Sequence, residues 1–146
     1  MIYATVGITG SGKSTWARSS GMDVISDDIL WYIWGHGEYY YDPRTSLDLK
    51  QKAIASARAW PRDIVIDSAD WFLSEEDRAC LDVREVTWMI FPTPPWLVVK
   101  QKRIEDSRGL PLHVWSNVYM EHTQRLQYPE PGLNVRYMDG WSDNLG

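Results

Sequence analysis

The chain has 146 residues, 44% of them hydrophobic, and a formal net charge of −5. That is the length of one domain with enough apolar residues for a core, and the acidic balance argues against tight, sequence-blind binding to long nucleic acid, which goes with a basic face. No run of about 18 apolar residues marks a membrane span, no signal peptide is expected, and the lone Cys80 excludes an internal disulfide, so a reducing, cytoplasmic setting is the expectation.

The first strand is expected over Ile2 to Ile8. It runs into Gly7-Ile8-Thr9-Gly10-Ser11-Gly12-Lys13-Ser14-Thr15, which fills the template G-x-x-x-x-G-K-[ST]. At average residue usage, a chance match in so short a chain is about one in two hundred. A helix from Lys13 to Ser19 follows. A short strand near Asp23 to Ile25 leads to Ser26-Asp27-Asp28 and a helix through about Trp34, which Gly35-His36-Gly37 breaks. Tyr39-Tyr40-Tyr41 reads as an aromatic loop. Asp42-Pro43 reads as an N-cap and first-turn proline opening a helix to about Trp60, stopped by Pro61. Ile64-Val65-Ile66 is a buried strand ending at Asp67. Ser74 with Asp77 is a weak capping box for a helix to about Val83, with Cys80 as a small core residue. Val86 to Phe91 is the next strand. Pro92 to Pro95 lead into a helix from about Trp96 to Arg103, then a basic loop, a helix from about Val114 to Leu126, and a last strand over Val135 to Met138. Strands and helices alternate, which predicts an α/β domain with a parallel sheet.

The glycine-rich run has a direct chemical reading. A backbone that wraps a polyphosphate must point successive N–H groups inward, and glycine allows this without a Cβ in the way. The helix start adds unpaired N–H groups. Lys13 can reach β- and γ-phosphates, and the Ser14 hydroxyl can ligate Mg²⁺. Ligands of open α/β sheets bind beyond the carboxyl ends of the strands. Asp27 and Asp28 follow strand two there, and Asp67, with Asp70 nearby, follows strand three. Asp27 is the first choice for orienting an acceptor hydroxyl and taking its proton; the alternative is that Asp27 and Asp28 only cap the next helix. Asp67 reads either as a carboxylate for Mg²⁺ or acceptor, or as a turn former. Arg103 and Arg108, near Gly109 and Pro111, read as lid arginines for transferring phosphoryl charge or as a solvated helix end. Trp31, Trp34 and Tyr39 to Tyr41 could stack on a base or pack under a loop. Most of the nine tryptophans are expected in the core. His36, His113 and His122 have no metal spacing and receive no role.

Gly10-Ser11-Gly12-Lys13-Ser14-Thr15-Trp16-Ala17-Arg18 resembles the P-loop of polynucleotide 5′-kinases, including the Trp-Ala-Arg that continues into the helix. Asp27-Asp28 matches that family's Asp-Asp pair, whose first member is the general base. Ile66-Asp67-Ser68-Ala69-Asp70 before Glu75-Glu76-Asp77-Arg78 is similar to its third-strand segment, with either Asp67 or Asp70 as the counterpart. Arg103 and Arg108 before Leu110-Pro111-Leu112 resemble its lid. Where the family has a basic residue after the Asp-Asp pair, this chain has Ile29-Leu30-Trp31. The resemblance implies an adenylate-kinase-like P-loop NTPase fold: a three-layer sandwich around a parallel sheet of about five strands, with a short lid. It also implies ATP held by Thr9, Gly10, Ser11, Gly12, Lys13, Ser14 and Thr15, and Mg²⁺ held by Ser14 and Asp67. The acceptor side would comprise Asp27, Asp28, Asp67, Asp70 and Trp31. The expected reaction moves the γ-phosphate of ATP to a hydroxyl, most readily the 5′-hydroxyl of DNA or RNA or a modified base within it. The alternatives are a nucleoside, nucleotide or other small-molecule kinase, or a nucleotide switch.

Overall fold

The computed structural model describes residues 1–26, 55–67 and 81–138. Its described strands form one parallel sheet, in the order β2-β3-β1-β4-β5. They are β1 (Ile2–Val6), β2 (Asp23–Ser26), β3 (Ile64–Asp67), β4 (Val86–Ile90) and β5 (Asn134–Tyr137). Helix α1 (Lys13–Ser19) follows β1, and α2 (Trp96–Glu105) and α3 (Leu112–Arg125) lie between β4 and β5. Five strands and their parallel pairing match the sequence expectation. The first strand is shorter than expected. It ends at Val6 because Gly7 onward already belongs to the glycine-rich loop.

Parallel strands are covered on both faces, so their sequences are apolar rather than alternating. Here the two faces separate by residue parity. Ile2, Ala4 and Val6 of β1, Ile64 and Ile66 of β3, and Val86, Trp88 and Ile90 of β4 build one continuous core. Ala57, from the helical residues 55–58, and Leu81 close it. Trp88 is wholly buried, and its indole N–H donates to the Val83 carbonyl at 3.1 Å. Satisfying that group is what lets so large a ring be buried at little polar cost. The opposite face carries Thr5, Val65, Thr87 and Met89, all buried. Two of these four are hydroxyl-bearing, and each hydroxyl has a use: Thr5 turns to Asp67, and Thr87 accepts from Asn134 of β5 at 3.0 Å.

Helix boundaries depart from expectation in two informative places. Helix α2 continues to Glu105 rather than ending near Arg103. Lys102 and Arg103, expected at the helix end, are inside the last turn, on the buried face with Val99. The spacing 99, 102, 103 is the i, i+3, i+4 spacing of one helix face. Helix α3 begins at Leu112, directly after Pro111, which adopts φ −64 as its cap. Proline suits a helix start because its missing N–H would have no partner there. Val83, expected at a helix end, opens a 3₁₀ turn over Val83–Glu85. Asp82 caps it by accepting the Arg84 backbone N–H at 3.1 Å; that bond, with the Arg84 side chain, holds the Asp82 carboxyl below its ordinary range. The helix expected after Asp28, Tyr39 to Tyr41, most of the 42–60 helix, the Ser74 helix start and Cys80 lie outside the described residues. Of the tryptophans within them, Trp88 and Trp115 are buried and Trp60 is exposed.

Strand order fixes where a ligand can bind. From β1 the chain runs towards β2 on one side of the sheet, and from β4 towards β5 on the other. Crossovers in opposite directions, each right-handed, put α1 and the α2–α3 pair on opposite faces. The loops after β1 and β4 leave the same carboxyl edge of the sheet, where ligands of open α/β sheets bind. No helix among the described residues is long and apolar enough to cross a membrane.

Candidate active site

The loop from Gly7 to Gly12 takes a conformation that favours glycine at particular positions. Gly10 has φ 75 and Gly12 has φ 89, both in the left-handed region. Gly10 is also pressed against α2: a Cβ there would lie 3.0 Å from Val99 Cγ2. Gly10→Ala is therefore expected to cost about 1–2 kcal/mol for the backbone alone, with the clash added. Thermal unfolding of the variant checks this, and an unchanged melting temperature would contradict it. Gly7 is tight for a different reason, since a Cβ there would sit 2.6 Å from Ser11 Oγ. Ser11 is fully buried, and its hydroxyl has no hydrogen-bond partner among the described residues. Gly12 caps α1, whose first-turn N–H groups have no carbonyl four residues back.

Lys13 and Ser14 open α1 and are buried. The Lys13 ammonium lies 3.5 Å from Asp67 Oδ1. The same carboxylate oxygen accepts a hydrogen bond from Thr5 Oγ1 at 3.0 Å. Thr5 and Asp67 stand on neighbouring parallel strands, β1 and β3, with their side chains on one face. Thr5 is wholly buried and fixes which way the Asp67 carboxylate turns. Ser14 and Asp67 thus offer a hydroxyl and a carboxylate beside the loop. These are hard oxygen donors of the kind Mg²⁺ takes, with waters and phosphate oxygens completing its shell. Among the described residues no three His, Cys, Asp or Glu side chains are grouped to hold a metal ion.

The back of the loop is held by α2 and α3. Lys102 Nζ donates to the Gly10 carbonyl at 2.8 Å. Arg103 Nη2 donates to Thr9 Oγ1 at 2.7 Å, and its guanidinium lies 4.3 Å from the centroid of the Trp115 ring. The Thr9 backbone N–H donates to His122 Nδ1 at 3.1 Å. That bond requires Nδ1 unprotonated, so a neutral ring carries its proton on Nε2. Arg108, in the α2–α3 connection, has φ 52 and also faces Trp115, at 5.7 Å from the ring centroid. The indole N–H of Trp115 in turn donates to the Ser107 carbonyl at 2.9 Å, pinning the connection.

The structure thus gathers Thr9, Gly10, Ser11, Gly12, Lys13, Ser14, Asp67 and Arg103 around one loop. Thr15 follows in α1, and Arg108 stands one connection away. Asp27, Asp28, Trp31 and Asp70 lie outside the described residues. Asp27 directly follows Ser26, whose Cα pairs with that of Asp67 across β2 and β3. Sequence reasoning missed Thr5, Lys102 and His122. Each acts on a residue 62, 92 or 113 positions away, and a threonine in an apolar strand was the only local sign.

No family model matches the chain, and no curated protein does. Solved structures do. A sugar kinase from Janibacter sp. HTCC2649 superposes with TM-score 0.61 at 18% identity, over 94% of this chain and 84% of that one. Shikimate kinase from Aquifex aeolicus gives 0.54 at 15%, over 96% and 86%. Kti12 from Chaetomium thermophilum, in complex with ADP-AlF3, gives 0.56 at 19%, over 95% and 90%. The fold is that of P-loop kinases. None of these likenesses points to a polynucleotide kinase.

Proposed function

We propose that this chain is an ATP-dependent phosphotransferase that moves the γ-phosphate of ATP to a hydroxyl of a small molecule. The observation that carries the reading is the buried Thr5–Asp67–Lys13 group at the loop. A cation and an oriented carboxylate stand together where a triphosphate would lie. Neighbours named as sugar and shikimate kinases support a small hydroxyl acceptor. So does the net charge of −5, which disfavours a polyanionic strand.

In this reading the backbone N–H groups of Gly10 and of Gly12 to Thr15 face the phosphates. Lys13 offsets charge on the transferring group, because a fixed cation in a water-poor site stabilises developing negative charge without reorganisation. Ser14 and Asp67 would hold Mg²⁺, which supplies further charge neutralisation on the phosphate oxygens. Asp27 orients the acceptor hydroxyl and takes its proton. The acceptor oxygen bonds to the γ-phosphorus, the bond from that phosphorus to the β–γ bridging oxygen breaks, and ADP leaves. Arg103 and Arg108 supply positive charge on the α2–α3 side.

Thr5→Val keeps shape and removes the hydroxyl that turns Asp67. Expected is a fall in kcat of about 10-fold, the scale of losing one supporting contact to a metal ligand, with Thr5→Ser close to wild type. Equal kcat for all three proteins would contradict it.

A second reading places a 5′-hydroxyl or a modified base of DNA or RNA in the acceptor site. The Gly10 to Arg18 run favours it through its likeness to polynucleotide kinases. ATP consumption with a panel of sugars, cyclic polyols, nucleosides and 5′-hydroxyl oligonucleotides separates the two. Stimulation by small hydroxyl compounds supports the first reading. Stimulation by oligonucleotides alone selects the second. ATP turnover insensitive to every acceptor would favour a nucleotide switch.

A further inference from the structure

We infer that Lys102 is a positioning residue that holds the phosphate-binding loop in its open, anion-accepting form. The inference rests on the kinase reading above and adds a residue to its machinery.

The loop accepts an anion only while its carbonyls face out of the cradle. A carbonyl turned into the cradle would place negative partial charge where phosphate must sit. The weak point is the Gly10–Ser11 peptide. Gly10 has φ 75, and glycine moves between left-handed and right-handed backbone at little cost. Among the described residues, the Ser11 N–H is held by a long turn bond to the Ile8 carbonyl at 3.3 Å. Lys102 Nζ grips the other end of that peptide, the Gly10 carbonyl, at 2.8 Å. The lysine is 3% exposed. Charge-assisted bonds of this kind are about twice as strong as neutral ones.

The grip is built by α2. Val99 and Lys102 stand one turn apart on its buried face, and Val99 methyls lie against the Gly10 backbone. The apolar contact sets the distance between helix and loop, and the ammonium sets the peptide's orientation. Arg103, next on the same helix, fixes the adjoining Thr9 hydroxyl at 2.7 Å. Two consecutive residues of α2 therefore fix two consecutive residues of the loop. Since α2 leads into the connection carrying Arg108, the loop and that connection share one support.

The expected consequence is a population effect. Without Lys102 some molecules hold the peptide flipped, and the apparent affinity falls by the fraction still competent. ATP and ADP share the cradle and should lose affinity alike. An effect of charge alone would weaken ATP more than ADP.

The test measures ATP and ADP dissociation constants by titration calorimetry, and kcat and KM for ATP, in wild type, Lys102→Met and Lys102→Arg. Lys102→Met is expected to weaken ATP and ADP by the same factor, about 10-fold or more. KM for ATP should rise with kcat changed little, and Lys102→Arg should recover most of the affinity. Lys102→Gln replaces Lys102→Met should the latter fail to fold, with the same loss expected. Nucleotide affinity within twofold of wild type in Lys102→Met or Lys102→Gln would overturn the inference, as would loss of ATP affinity with ADP affinity kept. Those results leave the kinase reading standing. Wild-type protein that binds neither nucleotide would overturn both.

Discussion

Lys13→Ala is expected to lower ATP-dependent phosphoryl transfer by about 100- to 1000-fold, the loss seen when one fixed electrostatic partner of a transition state is removed. The ammonium is buried, opens α1 and stands 3.5 Å from Asp67. Both settings matter. Burial keeps water from screening its charge, and the helix start places it at the rim of the loop. The variant should remain folded, because Lys13 packs no apolar core. The variant also leaves Asp67 buried without its cation, which disfavours binding of a further anion. Kinetics in wild type and variant at saturating Mg²⁺ check this. Transfer within about threefold of wild type would mean that Lys13 is not at the reacting phosphate.

The second large effect concerns the acceptor. Asp27→Asn is expected to reduce kcat by about 100- to 10,000-fold, the span for a positioned general base, with the ATP dissociation constant unchanged. Asparagine keeps the size and loses the basic oxygen. Ser26 pairs with Asp67 at the carboxyl edge of the sheet, and Asp27 is the next residue in the sequence. If Asp27→Asn turned over normally while Asp28→Asn did not, the base would be Asp28. If neither variant slowed transfer, proton removal would have to come from another group. The split between binding and turnover separates this prediction from that for Lys13.

The parts legible in the sequence share a physical character. The glycine-rich run carries its geometry locally: Gly10 and Gly12 adopt positive φ, as a loop wrapping an anion requires. The strands were visible as short apolar runs, and Asp67 announced itself by ending one. The order of the strands was not visible, because pairing depends on which crossover is taken and not on any one strand's residues. The α2 boundary misled for a similar reason. Arg103 read as a lid arginine or a solvated helix end and Lys102 received no role, yet both are buried where the helix meets Thr9 and Gly10. Charge in a sequence suggests solvent unless a long-range acceptor is known. His122 gave no signal at all, since a single histidine accepting one backbone N–H has no spacing rule. Thr5 is the instructive middle case. A polar residue in an otherwise apolar central strand is unusual, and its hydroxyl meets the Asp67 carboxylate.

The most direct measurement follows the γ-phosphate itself. Wild-type protein is incubated with γ-labelled ATP, Mg²⁺ and small hydroxyl compounds pooled by class, and the product is isolated and its labelled bond located. The expected result is label on a hydroxyl oxygen of a small acceptor, absent with Lys13→Ala. Label recovered only as free phosphate, or no release of label from ATP with any acceptor, would contradict a kinase built on this loop.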